Sequence, residues 1–143
     1  MKQSSCSKIV FSLLLCSGFA GFAGFAFSSP LVGNWVNVDE NTRSVVELEI
    51  VDSGNGKAEF KWVGKTHPEN STYGPFPFYL HSTIGGAGQG PDAGHGLHET
   101  NFSHMLFVVK WKSEGMIFLE AFTRFTDDSG RKSYREEITL RKK

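Results

Sequence analysis

Gly33-Asn34-Trp35-Val36-Asn37 decides how the chain is read, because a glycine two residues ahead of a tryptophan on a short apolar segment has a specific physical use. Gly33 has no Cβ, so another backbone or a large ring can come close to it. Trp35 can then lie across one end of a small closed β-barrel, burying a large apolar area while its indole N–H takes an acceptor. These residues sit in an expected strand over 31–38, followed by the turn Asp39-Glu40-Asn41-Thr42-Arg43. Aspartate and asparagine there cap the turn through their own backbone, and Arg43 is placed over the Trp35 face as a cation–π partner.

Outward from this strand the pattern is of period two. Over 43–52, Val46, Leu48 and Ile50 face one way and Glu47 and Glu49 the other. Ser53-Gly54-Asn55-Gly56 supplies the positive φ of a tight reversal. The return over 57–64 puts Ala58, Phe60 and Trp62 on one face and Lys57, Glu59 and Lys61 on the other. Further on, Met105, Phe107, Val109 and Trp111 share a face, with Leu106 and Val108 opposite, as in a strand buried on both sides. Ser113-Glu114-Gly115 turns the chain into a strand over 116–126, Asp127-Asp128-Ser129-Gly130 makes a second hairpin, and 131–141 carries Tyr134, Ile138 and Leu140 among charges.

Between 65 and 103 this regularity breaks down. Phe76-Pro77-Phe78-Tyr79-Leu80 reads as a strand that Pro75 and Pro77 confine to an edge or a bulge. Gly85-Gly86-Ala87-Gly88-Gln89-Gly90-Pro91, continued by Gly94 and Gly96, reads as a flexible glycine-rich loop over about 84–100, because fixing so much glycine costs much entropy. No long amphipathic helix is expected after residue 30. The fold class is therefore all-β, a small antiparallel meander barrel of about six to eight strands, since closure removes the open edges that a sandwich would leave.

Residues 1–26 read as a secretory signal helix, leaving 27–143 as a single barrel domain. Lys2 and Lys8 form its positive end, an uncharged run of apolar and small residues follows, and Gly24-Phe25-Ala26 gives a small-x-small cleavage pattern. The expected location is secreted or periplasmic. Cys6 and Cys16 both lie in this leader, so the mature chain has neither disulfide nor thiol chemistry. Leu13-Leu14-Leu15-Cys16 approaches a lipobox, but the bulky Leu15 fits lipidation of Cys16 poorly. Of the 15 Lys and Arg residues two leave with the leader, so 13 face 15 acidic ones, interspersed along the strands. That balance gives no footprint for nucleic acid or an anionic membrane surface.

Three stretches in order resemble a family of small, largely uncharacterised secreted proteins. They are Asn34-Trp35-Val36-Asn37-Val38-Asp39 with Asn41-Thr42-Arg43, then Trp62-Val63-Gly64-Lys65-Thr66-His67-Pro68 running to Tyr73-Gly74, and Phe125-Thr126-Asp127-Asp128-Ser129-Gly130-Arg131 with Tyr134. The family shares W-x-N-x-D-x-N-T-R, G-x-C-x-P-x-x-C-D-W-G and F-T-D-x-S-G-R motifs, and the resemblance implies a compact barrel of lipocalin or calycin appearance with no established catalytic residues. This chain has Thr66 and Ser71 where the family carries cysteines, and Tyr73 where it carries tryptophan. A looser central loop follows from that departure. Gly33 to Asn37 and Phe107-Val108-Val109-Lys110-Trp111-Lys112 also look like avidin strands, although the later tryptophan-bearing strand is missing.

The first functional expectation is a non-enzymatic barrel that binds a small apolar or aromatic ligand, with Trp35, Trp62, Trp111, Arg43 and Tyr134 as lining. Phe60, Phe107, Phe118 and Phe122 either join them around a cavity or fill the barrel. The alternative is an interaction module, such as an inhibitor of a secreted enzyme, acting through the 65–103 loop. A third is a metal-dependent hydrolase using Asp92, His95 and His98, since imidazole with carboxylate is a zinc ligand set. The chain carries no nucleophile elbow, no phosphate-binding loop and no cofactor motif.

Overall fold

Eight antiparallel strands run up and down about one axis and close on themselves. The computed structural model describes residues 29–84 and 90–143; the expected leader, with Cys6 and Cys16, lies outside the described residues, as do positions 85–89 of the glycine stretch. In chain order the strands are β1 (Gly33–Asn37), β2 (Val45–Gly54), β3 (Lys57–Gly64), β4 (Ser71–His81), β5 (Ala93–Glu99), β6 (Ser103–Ser113), β7 (Met116–Phe125) and β8 (Tyr134–Lys142). Each pairs with the next, and β8 returns to β1 through Val36↔Arg141 and Asn37↔Leu140. The expected all-β meander barrel is the observed fold.

β2 and β3 follow the alternation of their sequences, with one correction. A bulge between Val45 and Glu47 turns Val46 off the inner face, so the residues pointing inward are Val45, Leu48 and Ile50. They meet Ala58, Phe60 and Trp62 from β3 in a core completed by Phe78, Phe107, Val109, Ile117, Leu119, Ile138 and Leu140. β6 is dry on one face only: Leu106 is exposed and Val108 half-buried. Phe118 and Phe122 also project outward, because Ile117, Leu119, Ala121 and Thr123 take the inner positions of β7.

The region 65–103 departs most from expectation. Nearly half of it is barrel wall, supplied by β4 and β5. β4 pairs with β3 along its length but with β5 only from Phe78 to His81, so both expected settings occur: Pro77 lies where β4 has no β5 partner, and Pro75 lies in a bulge. Phe60 pairs with Phe76 and Trp62 with Tyr73, so Gly74 and Pro75 together oppose one residue of β3. This resets the alternation, so Tyr73 and Phe76 both pack against the core. In β5 the inner positions are Gly94, Gly96 and His98. A Cβ on Gly94 would lie 2.3 Å from the Phe78 ring, and one on Gly96 2.4 Å from the Phe60 ring. These two glycines make room for aromatic rings.

One end of the barrel is closed. The turn before β1 tucks Leu31 fully out of solvent, and Trp35 lies beside it, 1 % exposed, with Nε1 donating to the Leu31 carbonyl at 2.8 Å. Ser29 Oγ ties this turn across the barrel to the Pro91 carbonyl at 2.6 Å. The cation over the Trp35 ring is Lys142 at 5.7 Å, and Arg43 stands at the opposite end, which corrects the expected pairing. Because β1 starts at the closed end, the turns β1–β2, β3–β4, β5–β6 and β7–β8 surround the other end, the mouth.

Candidate functional site

The mouth leads into a cavity of about 310 Å³. A single cross-strand rung builds much of its wall: His98 on β5 pairs with Met105 on β6, Met105 with Thr123 on β7, and Thr123 with Tyr134 on β8. Trp62 and Tyr73 face the cavity from β3 and β4, their rings stacked 4.3 Å apart at 23°. Gly64 permits that stack, since a Cβ there would come within 2.8 Å of the Trp62 ring. Phe76 backs His98 in a second stack at 4.4 Å and 25°.

Three side chains of this wall carry buried polar atoms without a hydrogen-bond partner among the described residues: Trp62 Nε1, His98 Nδ1 and Thr123 Oγ1. All three residues are more than nine-tenths buried, with exposures of 7 %, 7 % and 4 %. Leaving such a group unpaired costs about 1–3 kcal/mol, so finding three on one cavity is the least ordinary feature of the molecule. Burial pushes the His98 pKa below its ordinary value, which keeps the imidazole neutral at pH 7.

The rim is tied together. Arg131 donates to Asp127 at 2.6 Å, lies 4.0 Å over the Phe125 ring and 5.3 Å from Phe102, and so joins the β7–β8 and β5–β6 turns. Asp127 also accepts from Ser129 Oγ, and these contacts hold its carboxyl below the usual carboxylate range. Thr126 N donates to the Phe102 carbonyl at 2.9 Å. Across the opening, Thr66 and Ser71 hydroxyls are hydrogen-bonded at 2.9 Å and clip the β3–β4 turn. Glu136, the acidic residue of the lining, accepts from Ser44 Oγ at 2.6 Å. Arg43 and Lys65 also border the cavity, and among the described residues neither has an ion-pair partner. Asp39 is a turn former: its carboxylate accepts from Asn41 N at 2.9 Å.

Of the five residues expected to line a ligand site, Trp62, Arg43 and Tyr134 meet at the mouth. Trp35 seals the closed end, and Trp111, near the end of β6 on that same side, is 45 % exposed. The three tryptophans therefore do not share a cavity. The expected metal ligands are not brought together either. His98 points into the barrel and His95 out of it, where it stacks on His81 at 4.9 Å with Nδ1 2.8 Å from His81 Nε2. Asp92 is engaged by Thr83 N and Oγ1, which lowers its pKa. Among the described residues no group of three His, Cys, Asp or Glu side chains is placed to hold a metal ion.

Tyr73, Thr123, Phe125 and Arg131 were not expected in the lining. Thr123 carried the most direct signal, as the polar residue that ends the inner series Ile117, Leu119, Ala121. Comparison with protein-family models, with curated proteins and with solved structures finds no match.

Proposed function

We propose that this protein is a secreted or periplasmic, non-catalytic barrel that binds a small aromatic or apolar molecule carrying polar groups in its mouth cavity. The observation that carries the reading is the mouth cavity of about 310 Å³ walled by Trp62, Tyr73, His98, Phe125 and Tyr134, because an aromatic hollow with a few polar groups is the form that small-molecule sites take. Stacked rings supply a flat apolar wall, and the tied rim gives a preformed opening. The apolar run and small-x-small pattern of the leader support export. The Thr66–Ser71 contact, at the two positions where the resembled family has cysteines, supports that relationship.

Native mass spectrometry of the protein purified from an exporting host tests the reading. A discrete added mass that disappears on denaturation is expected. A bare mass, unchanged when aromatic and hydrophobic compounds are added, would sink it.

One observation favours a protein-interaction role as second reading. Leu97, Leu106 and Phe122 form a cross-strand row on the outer face with exposures of 44 %, 36 % and 38 %. Under that reading Leu106→Glu abolishes capture of a protein partner without altering binding at the mouth.

A further inference from the structure

We propose that His81 and His95 hold a divalent transition-metal ion, copper(II) before others, on the outer wall of the barrel near its closed end. The pair lies away from the mouth cavity and needs nothing of the ligand reading above.

β4 and β5 bring the two rings together from either side of the connection between them. Tyr79 pairs with His95 and His81 with Ala93, so the histidines are diagonal neighbours on adjacent antiparallel strands. Both stand at outward positions, because Phe78, Gly94 and Gly96 take the inward ones. The backbone beneath them is held by the sheet: His95 is paired on both sides, to Tyr79 and to Val108. The Tyr79 ring also lies on that of His95, at 5.5 Å and 28°, and restricts its rotation. A site carried by paired strands is placed more sharply than one carried by a loop.

Geometry then selects the chemistry. His81 Nε2 and His95 Nδ1 stand 2.8 Å apart, with ring planes within 5° of parallel. Two imidazole nitrogens, each about 2.0 Å from one ion, are about 2.8 Å apart at adjacent corners of a square and about 3.3 Å apart at a tetrahedral angle. The observed separation is the edge of the square. Tetragonal sites of nitrogen and oxygen suit copper(II) and nickel(II), and copper(II) is the more tightly bound of the two. As a hydrogen-bonded pair, one neutral ring donates its N–H to the lone pair of the other. Once the donor ring carries that hydrogen on its other nitrogen, both facing nitrogens present lone pairs to the ion, and no proton leaves the protein. The remaining corners of the square face solvent and take water.

Neighbouring charges do not oppose a cation. Lys57 and Lys110, across from Tyr79 and Ala93, are matched by Asp92 and by Glu120, which pairs with Lys110 at 2.9 Å. Among the described residues the other three histidines have no second imidazole within reach: His98 points into the barrel, His104 faces Glu99 at 3.5 Å, and His67 lies in the β3–β4 turn.

Titration of the full chain with copper(II) at neutral pH, in a buffer that does not coordinate metals, tests the site by calorimetry and electron paramagnetic resonance. One equivalent should bind with a tetragonal spectrum whose hyperfine splitting counts two nitrogens. His81→Gln and His95→Gln should each weaken binding at least about tenfold, the least that loss of even a supporting partner costs a metal site. His67→Gln and His104→Gln should leave it unchanged. The spectrum of the parent needs no substitution, so it decides the matter even where a variant fails to fold. Absence of binding, a spectrum with fewer than two nitrogens, or an affinity indifferent to both His81 and His95 would overturn the site.

Discussion

Thr123 sits at a position where valine would fill the same space, yet its hydroxyl has no partner among the described residues. Removing a buried unsatisfied group relieves its desolvation cost, so Thr123→Val should raise unfolding stability by about 1 kcal/mol, read as a higher urea midpoint with unchanged slope. A residue whose replacement strengthens the fold is kept for something other than folding, and loss of stability in this variant would remove that case. Gly96 makes the opposite demand. Its missing Cβ is the space occupied by Phe60, 2.4 Å from where the carbon would stand. Gly96→Ala should cost about 1–3 kcal/mol by overpacking, and a neutral result would mean that the ring moves aside freely. Sequence reading assigned Gly94 and Gly96 to flexibility, because a glycine that yields to a ring and one that loosens a loop are the same letter. What distinguishes them is the facing strand, and Phe60 lies 36 positions away.

β2, β3, β6, β7 and β8 were legible because their inner faces carry their own apolar residues. β5 was not, for its inner face is Gly94, Gly96 and His98, an alternation without hydrophobicity. Its apolar filling comes from Phe60 and Phe78 on β3 and β4. β4 was hidden differently: the bulge at Gly74-Pro75 shifts the period by one, so neither half shows a long run of alternation. The mouth site inherits both difficulties, since His98 and Tyr73 belong to these strands, whereas Trp62, Arg43 and Tyr134 lie on or beside legible ones. Deletion separates a loop from a wall strand. Removing 93–96 takes away the partners of both β4 and β6 and opens the barrel. The variant should lose its cooperative thermal transition and near-ultraviolet circular dichroism. If it melted like the parent, β5 would not be part of the closed sheet.

Closure of the barrel couples a single interior histidine to the stability of the entire chain. His98 stands among Trp62, Tyr73 and Phe76, and the ionisable groups sharing its cavity are Tyr73, Arg43, Lys65, Arg131, Tyr134 and Glu136. Burial lowers its pKa in the folded state, and unfolding returns the imidazole to its ordinary value near 6.5. As pH falls through 6.5 the unfolded chain therefore takes up a proton that the folded chain resists, and stability declines until the folded-state pKa is reached. Asp92 and Asp127 act lower on the scale, because their depressed pKa values contribute stability above about 3.8 that is lost on further acidification. The two windows can be resolved by melting the protein from pH 8 to pH 3. The parent should show a fall in Tm below about pH 6.5 and a second below about pH 4, the ordinary ranges of imidazole and carboxylate. His98→Phe, which keeps a ring against Phe76, should abolish the first fall and retain the second. Persistence of the first fall in that variant would assign it to another group and leave His98 without influence on the acid stability of the barrel.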